Sequence, residues 1–270
     1  MKEEKILSEE ALKIDCQKTE NEIIEFIREI VKKSDAKGVV VGLSGGIDSS
    51  VTATLCVKAL GPDKVIGLLM PDPGITPLVD INDAKKLASN LGIKTYTIYI
   101  DTIVKAFLDS IPIDNKDRMP IANLKARIRM IINYFFANSL NYLVVGTGDR
   151  SEALIGYFTK YGDGGVDFLP IAHLYKTQVK QLGKYLGLPK NIIRKPSSPR
   201  LWKGQKAIDE IPIDYSLLDL ILYAMFDLKI EDKEIALKLN VPLKIVQKVR
   251  NLYDRSMHKR MYPPSLRWSD

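Results

Sequence analysis

An apolar run, "GVVV" (38–41), leads into "GLSGGIDSS" (42–50) and then into a helical pattern. Gly45 and Gly46 permit positive φ and leave no Cβ between the backbone and a ligand. Successive N–H groups at the mouth of a helix that opens near Ser49 can form an anion nest. Ser44, Ser49 and Ser50 add hydroxyl donors. Asp48 makes the loop informative. A carboxylate beside a phosphate nest is repulsive unless a cation lies between them, so Asp48 reads as a Mg²⁺ ligand. The common nucleotide loops do not fit: there is no GxxxxGKS/T, and the glycines do not follow GxGxxG.

The elements that must carry this loop follow from the apolar pattern. "GVVVGL" (38–43), "KVIGLLM" (64–70), "KTYTIYI" (94–100) and "NYLVVG" (141–146) read as buried strands, separated by amphipathic stretches at 49–60, 78–91 and 118–139. Strand–helix alternation predicts a doubly wound, mostly parallel α/β sheet with helices on both faces. A further helix with an Ile/Phe face is expected at 19–33, and beyond about 213 the pattern is helical only. One domain over 1–270 is the economical reading, with a core at about 20–213 and a helical C-terminal portion at about 214–270. Ligands of such sheets sit beyond the carboxyl ends of the strands, which is where the 42–50 loop falls.

Composition excludes more than it selects. With 46% apolar and 27% charged residues among 270, the chain suits a folded, water-soluble protein. It has no run long enough to span a membrane and no signal-peptide core, so no membrane partner is expected. Cys16 and Cys56 form no metal-binding spacing, and a cytoplasmic location is the default. A net charge of +7 suits polyanionic ligands, nucleotides included.

"SGGIDSS" resembles the SGGxDS signature of the ATP pyrophosphatase family, whose members split ATP between the α and β phosphates and adenylate a substrate. The stretch "VVGTGDRSEALIGYFTKYGDGGVDFLPIAHLYKTQV" (144–179) is similar to NAD synthetases over nearly its whole length. "NLKARIRM" (123–130), "LYKTQVKQLGKYLGLP" (174–189), "KPSSPRLWKGQ" (195–205) and "HK" (258–259) agree, so the resemblance spans roughly residues 20–260. By these segments the chain is identified as a member of the ammonia-dependent NAD synthetases. The resemblance implies an adenine nucleotide alpha hydrolase-like fold. It also implies amidation of deamido-NAD⁺ by ammonia, with ATP giving AMP and pyrophosphate through an acyl adenylate.

The resemblance also assigns residues. Asp48 and Glu152 would hold Mg²⁺, although Glu152 also suits a first-turn acid facing a helix dipole. ATP would meet Gly42, Leu43, Ser44, Gly45, Gly46, Ile47, Asp48, Ser49, Thr147, Lys176 and Ser198. Deamido-NAD⁺ would meet Arg127, Lys160, Asp167, His258 and Lys259. Asp48 and Lys176 would be the catalytic pair. Lys176 opens a helix, where a cation is disfavoured unless an anion offsets it, and this points to a phosphate partner. "TKYGDGGVD" (159–167) reads as a flexible loop able to close over substrate. The family's acidic run after "LWKGQ" is shortened here to Asp209–Glu210, and Pro212 stands where many members have glycine, so 206–212 receives no role.

Two alternatives are an RNA-modifying adenylating enzyme and a silent nucleotide binder. Against the first stand absent sulfur-relay cysteines and the 144–179 match, and nucleic acid is not expected as a partner. Against the second stands the retained pair Asp48 and Glu152. The segment before Ser44 is too short for a glutaminase domain, and Cys56 falls on the apolar side of a helix, so free ammonia is the expected nitrogen donor. Family resemblance implies a homodimer, with the apolar faces of 19–33 and 118–139 as candidate contacts.

Overall fold

The computed structural model describes residues 7–113, 117–211 and 213–266, without the side chain of Asp209. Pro212, singled out above, lies outside the described residues. Four parallel strands, β1 (Gly38–Gly42), β2 (Val65–Leu69), β3 (Lys94–Thr97) and β4 (Tyr142–Val145), stand in the order β3-β2-β1-β4. The first half of the chain winds outward from β1 through β2 to β3. The next connection returns across β1 to β4. The order therefore reverses between β1 and β4, and a crevice opens there at the carboxyl ends of both strands.

The helices are α1 (Cys16–Lys33), α2 (Ile47–Leu60), α3 (Leu78–Leu91), α4 (Asp101–Ser110), α5 (Arg118–Leu140), α6 (Arg150–Ile155) and α7 (Lys176–Tyr185). They continue as α8 (Lys190–Ile193), α9 (Ala207–Glu210), α10 (Tyr215–Phe226), α11 (Asp232–Lys238) and α12 (Leu243–Arg255). Successive side chains of β1 feed opposite layers, as the pleat requires. Val39 and Val41 join a core with Ile23 and Ile27 of α1, Val51 and Leu55 of α2, and Val179 and Leu182 of α7. Val40 joins the other, with Leu68, Val104 of α4, and Ile128 and Ala137 of α5. All three valines are fully buried, which is why the strand reads as an unbroken apolar run rather than an alternating one.

The expected strands are present, with β3 ending at Thr97 rather than at Ile100. Beyond it, Ile98 N–H still donates to Leu69 O at 2.8 Å and Ile100 N–H to Pro71 O at 3.1 Å. The α4 helix was not anticipated, because its β-branched Thr102, Ile103 and Val104 carry little helical signal. A third apolar cluster gathers α10, α11 and α12, through Leu218, Ile221, Ile235, Val246 and Val249, around Ile155 of α6 and Tyr175. The helical C-terminal portion is thus fastened to the short helix that follows β4.

Candidate active site

The loop after β1 owes its shape to Gly45. Its φ is +75°, and a Cβ there would run into the backbone carbonyl of Asp80. The neighbouring hydroxyls close the loop on itself. Ser44 N–H donates to Ser49 Oγ at 3.3 Å, Gly46 N–H to Ser44 Oγ at 3.3 Å, and Ser49 Oγ to Gly46 O at 3.2 Å. Ser50 Oγ donates to Gly46 O at 2.7 Å and is fully buried, so it braces the first turn of α2 instead of offering a donor to ligand.

Asp48 rises from the first turn of α2, and Asp149 and Glu152 from the start of α6 just past β4. Carboxylate oxygens of these three lie within 4.8 Å of one another. Asp149 caps α6 by accepting Glu152 N–H at 2.8 Å, and it is fully buried. Lys176 Nζ sits among all three, 2.7 Å from Asp48 Oδ2, 2.8 Å from Asp149 Oδ2 and 2.9 Å from Glu152 Oε1. The cation at the head of α7 is therefore offset by carboxylates of the protein, so its position at a helix start gives no separate support for a phosphate partner. Burial pushes the Asp149 carboxyl above its ordinary range against the pull of Lys176, and Glu152 well above for the same reason. Burial draws the Lys176 ammonium down, but the carboxylates more than offset it and hold the group protonated.

One feature fits a divalent cation at this cluster. Asp48 Oδ1 is buried without a hydrogen-bond partner, and oxygen-rich carboxylate clusters are the donor set that Mg²⁺ takes. Burial disfavours the ionised forms of Asp149 and Glu152, and a cation held among the three carboxyls would favour them.

A cavity of about 560 Å³ runs from this cluster towards the C-terminal turn. Gly42, Leu43, Ser44, Gly46, Ile47, Asp48, Ser49, Thr147, Glu152 and Ser198 line one part, and Arg127, Lys160, His258 and Lys259 another. Gly45 supports the loop from behind, and Lys176 lies beneath Asp48 and Glu152, so neither forms the wall. Asp167 is also outside the wall. Its carboxylate accepts Tyr134 O–H at 3.0 Å and Val144 N–H at 2.7 Å, tying α5 to β4. Ser198 Oγ donates to Gln205 O at 2.6 Å and so closes its own turn.

The far end is held by main-chain carbonyls. Arg127 Nη2 donates to Lys160 O at 3.3 Å, Lys160 Nζ to His258 O at 2.8 Å, and Lys259 Nζ to Gly156 O and Phe158 O at 2.7 Å each. The 159–167 segment, expected to be loose, is a bonded turn: Gly162 N–H donates to Thr159 O at 2.9 Å and Thr159 N–H to Asp163 Oδ1 at 2.8 Å.

Sequence reasoning missed Asp149, Lys195 and Glu210. Asp149 could have been flagged as an N-cap inside "GTGDRSE", but its burial against Lys176 depends on a residue far along the chain. Lys195 Nζ reaches Gly45 O at 2.8 Å, Asp80 Oδ1 at 2.8 Å and Asp83 Oδ2 at 2.6 Å, pinning the phosphate-type loop to α3. Glu210, from the segment given no role, lines the cavity and accepts Tyr157 O–H at 2.9 Å.

Comparison with known proteins agrees with this geometry. The family model described as NAD synthase matches residues 19–263. An NH(3)-dependent NAD(+) synthetase of Staphylothermus marinus is 51% identical over 266 residues, covering 97% of this chain and 96% of that protein. Among solved structures, an NMN synthetase from Francisella tularensis superposes with a TM-score of 0.83 at 34% identity, over 95% of this chain and 100% of that one. An NH3-dependent NAD synthetase from Campylobacter jejuni gives 0.80 at 34% identity, over 94% and 100%. With its nucleotide-type loop, acidic cluster and full-length match, the chain belongs to the NAD synthase family.

Proposed function

We propose that the cavity catalyses ATP-dependent amidation of deamido-NAD⁺ with ammonia, giving NAD⁺, AMP and pyrophosphate. The observation that carries this reading is the Lys176 ammonium enclosed by Asp48, Asp149 and Glu152 beside the Ser44–Ser49 loop. Backbone N–H groups of that loop and the head of α2 would receive the pyrophosphate part of ATP. The substrate's own nicotinate carboxylate attacks the α-phosphorus, the bond to the β-phosphate oxygen breaks, and pyrophosphate leaves. Ammonia then attacks the acyl carbon of the adenylate, AMP departs and the nitrogen loses a proton. No protein nucleophile is required.

Asp48 and Glu152 would hold Mg²⁺, with Asp149 behind them, and the ion would neutralise charge gathering on the phosphates. Lys176 adds a fixed positive charge, and Asp149 keeps it protonated and aimed. Arg127, Lys160, His258 and Lys259 would orient the second nucleotide, which amounts to catalysis by positioning. A homodimer is part of the proposal: Ile131 and Phe135 on α5 are 60% and 70% exposed, apolar surface of the kind a second copy would cover.

The test is to incubate the purified chain with ATP, Mg²⁺, ammonium and deamido-NAD⁺, and to follow NAD⁺ and AMP. Because one structural neighbour bears the name NMN synthetase, nicotinate mononucleotide belongs in a parallel arm. Faster amidation of the mononucleotide would overturn the dinucleotide assignment, and ADP with orthophosphate as primary products would overturn the mechanism.

A further inference from the structure

Helix α10 lies outside the α/β sheet, yet two of its residues, one turn apart on the same face, sit under Lys176. The ring of Tyr215 lies 5.3 Å from Lys176 Nζ. Asp219 is fully buried and touches no part of the cavity. Its Oδ1 accepts Ser151 O–H at 2.5 Å, and its Oδ2 accepts Thr177 N–H at 2.8 Å. Ser151 Oγ in turn accepts Lys176 N–H at 2.9 Å. Two amides at the head of α7, left without partners inside the helix, are thereby satisfied by Asp219 and by the hydroxyl that Asp219 orients.

The arrangement has a consequence for the reaction. Ser151 lies in α6 between Asp149 and Glu152, whereas Lys176 opens α7. A single carboxylate thus fastens the helix bearing two acids of the cluster to the helix bearing its cation. The anion also lies against the N-terminus of α7, where it favours a helix that begins with lysine.

We propose that Asp219 is a positioning residue for the adenylating site, setting the Lys176 ammonium against Asp48, Asp149 and Glu152 through Ser151 and Thr177. The inference rests on the catalytic reading of Lys176, and its test separates the two. In Asp219→Asn the amide oxygen still accepts Thr177 N–H, but the amide nitrogen cannot accept the Ser151 hydroxyl. Ser151→Ala removes the same link from the other side and serves where Asp219→Asn does not fold, folding being checked by circular dichroism.

Steady-state NAD⁺ formation is measured for each variant, alone and combined with Lys176→Met. Expected is a fall in kcat of about tenfold or more, KM for deamido-NAD⁺ within about twofold, and no further fall in the Lys176→Met background, as for groups acting through one another. An unchanged kcat in the folded variant, the same fold-loss with and without Lys176, or a change confined to KM would overturn the assignment of Asp219. An unchanged kcat in Lys176→Met alone would overturn the catalytic reading of Lys176 and this inference with it.

Discussion

Lys176 Nζ lies 2.8 Å from Asp149 Oδ2, and neither side chain has exposed surface. Asp149 has two separable duties there, a charge facing Lys176 and an oxygen capping α6. Asp149→Asn keeps the cap and loses the charge, whereas Asp149→Ala loses both. Asp149→Ala is expected to unfold more easily than Asp149→Asn by about 1 kcal/mol, the usual worth of an N-cap, in urea titrations. Both variants are expected to lose activity. Equal stability of the two would remove the capping role, and full activity of the asparagine variant would remove the charge role.

Exchange of Asp48 or Glu152 for alanine removes a group that faces the cavity and holds the cluster together. Turnover is expected to fall by roughly 10²–10³, the usual cost of one lost electrostatic stabiliser. Calorimetric titration with Mg²⁺ and ATP should show weaker binding in both. Near-normal turnover at saturating ATP in either variant would dismiss it as a metal ligand.

The two loop glycines are not equivalent. At Gly45 a methyl group would meet the Asp80 carbonyl and the left-handed φ disfavours any side chain, whereas at Gly46, with φ −91°, an added Cβ would meet the Ser44 Oγ hydroxyl at 3.3 Å. Gly45→Ala is expected to cost more than about 1 kcal/mol and to weaken ATP binding, with Gly46→Ala much milder. The reverse order in melting temperature and ATP affinity would contradict the loop geometry.

Cys56 lies buried in α2, and burial pushes its thiol up to about 12, so no thiolate forms near neutral pH. Iodoacetamide at pH about 8 should leave Cys56 unmodified until denaturant is added. Glutamine should not replace ammonium, and Cys56→Ala should retain ammonia-dependent synthesis. Glutamine-supported synthesis lost in that variant would refute the claim.

Burial raises Asp219 to about 6, with the Ser151 and Thr177 donors opposing and Asp149 adding to the shift. Its raised value means that stability is present while the carboxyl is protonated and is lost as pH climbs from about 4 through about 6. Relative to the wild type, Asp219→Asn should therefore gain roughly 2 kcal/mol between pH about 4.5 and about 7.5 in urea unfolding. A pH-independent difference would contradict the buried, ionising state of this residue.

What the sequence discloses depends on how local the cause is. Val39, Val40 and Val41 announce a doubly buried strand because both sheet faces are covered. The spacing from Gly42 to Ser50 announces its loop because backbone shape and helix start are both local. Asp149 as a partner of Lys176, and Asp219 as a partner of Ser151 and Thr177, were invisible, since their meaning comes from packing between α6, α7 and α10, elements far apart in the chain. The helix-opening lysine correctly demanded an anion, but sequence could not say that the protein supplies it. At Asp167, a polar residue of a matched segment, the structure adds bonds to β4 and α5 that no local pattern announces.

The turn Met257–Lys259 and the residue after it grip α6 from the far end of the chain. Arg260 Nη1 donates to Ala153 O and Leu154 O at 3.0 Å each, Arg260 Nη2 to Tyr253 O at 2.6 Å, and Lys259 reaches Gly156 O and Phe158 O. The cavity wall accordingly runs from Gly42 to Lys259. On the ribosome the Ser44–Ser49 loop emerges ahead of this clasp, and the sheet can form while the site is still open at one end. A nascent chain halted before residue 256 would carry the acidic cluster and its lysine but lack the clasp on α6, so the pocket is finished only after its other walls have been made.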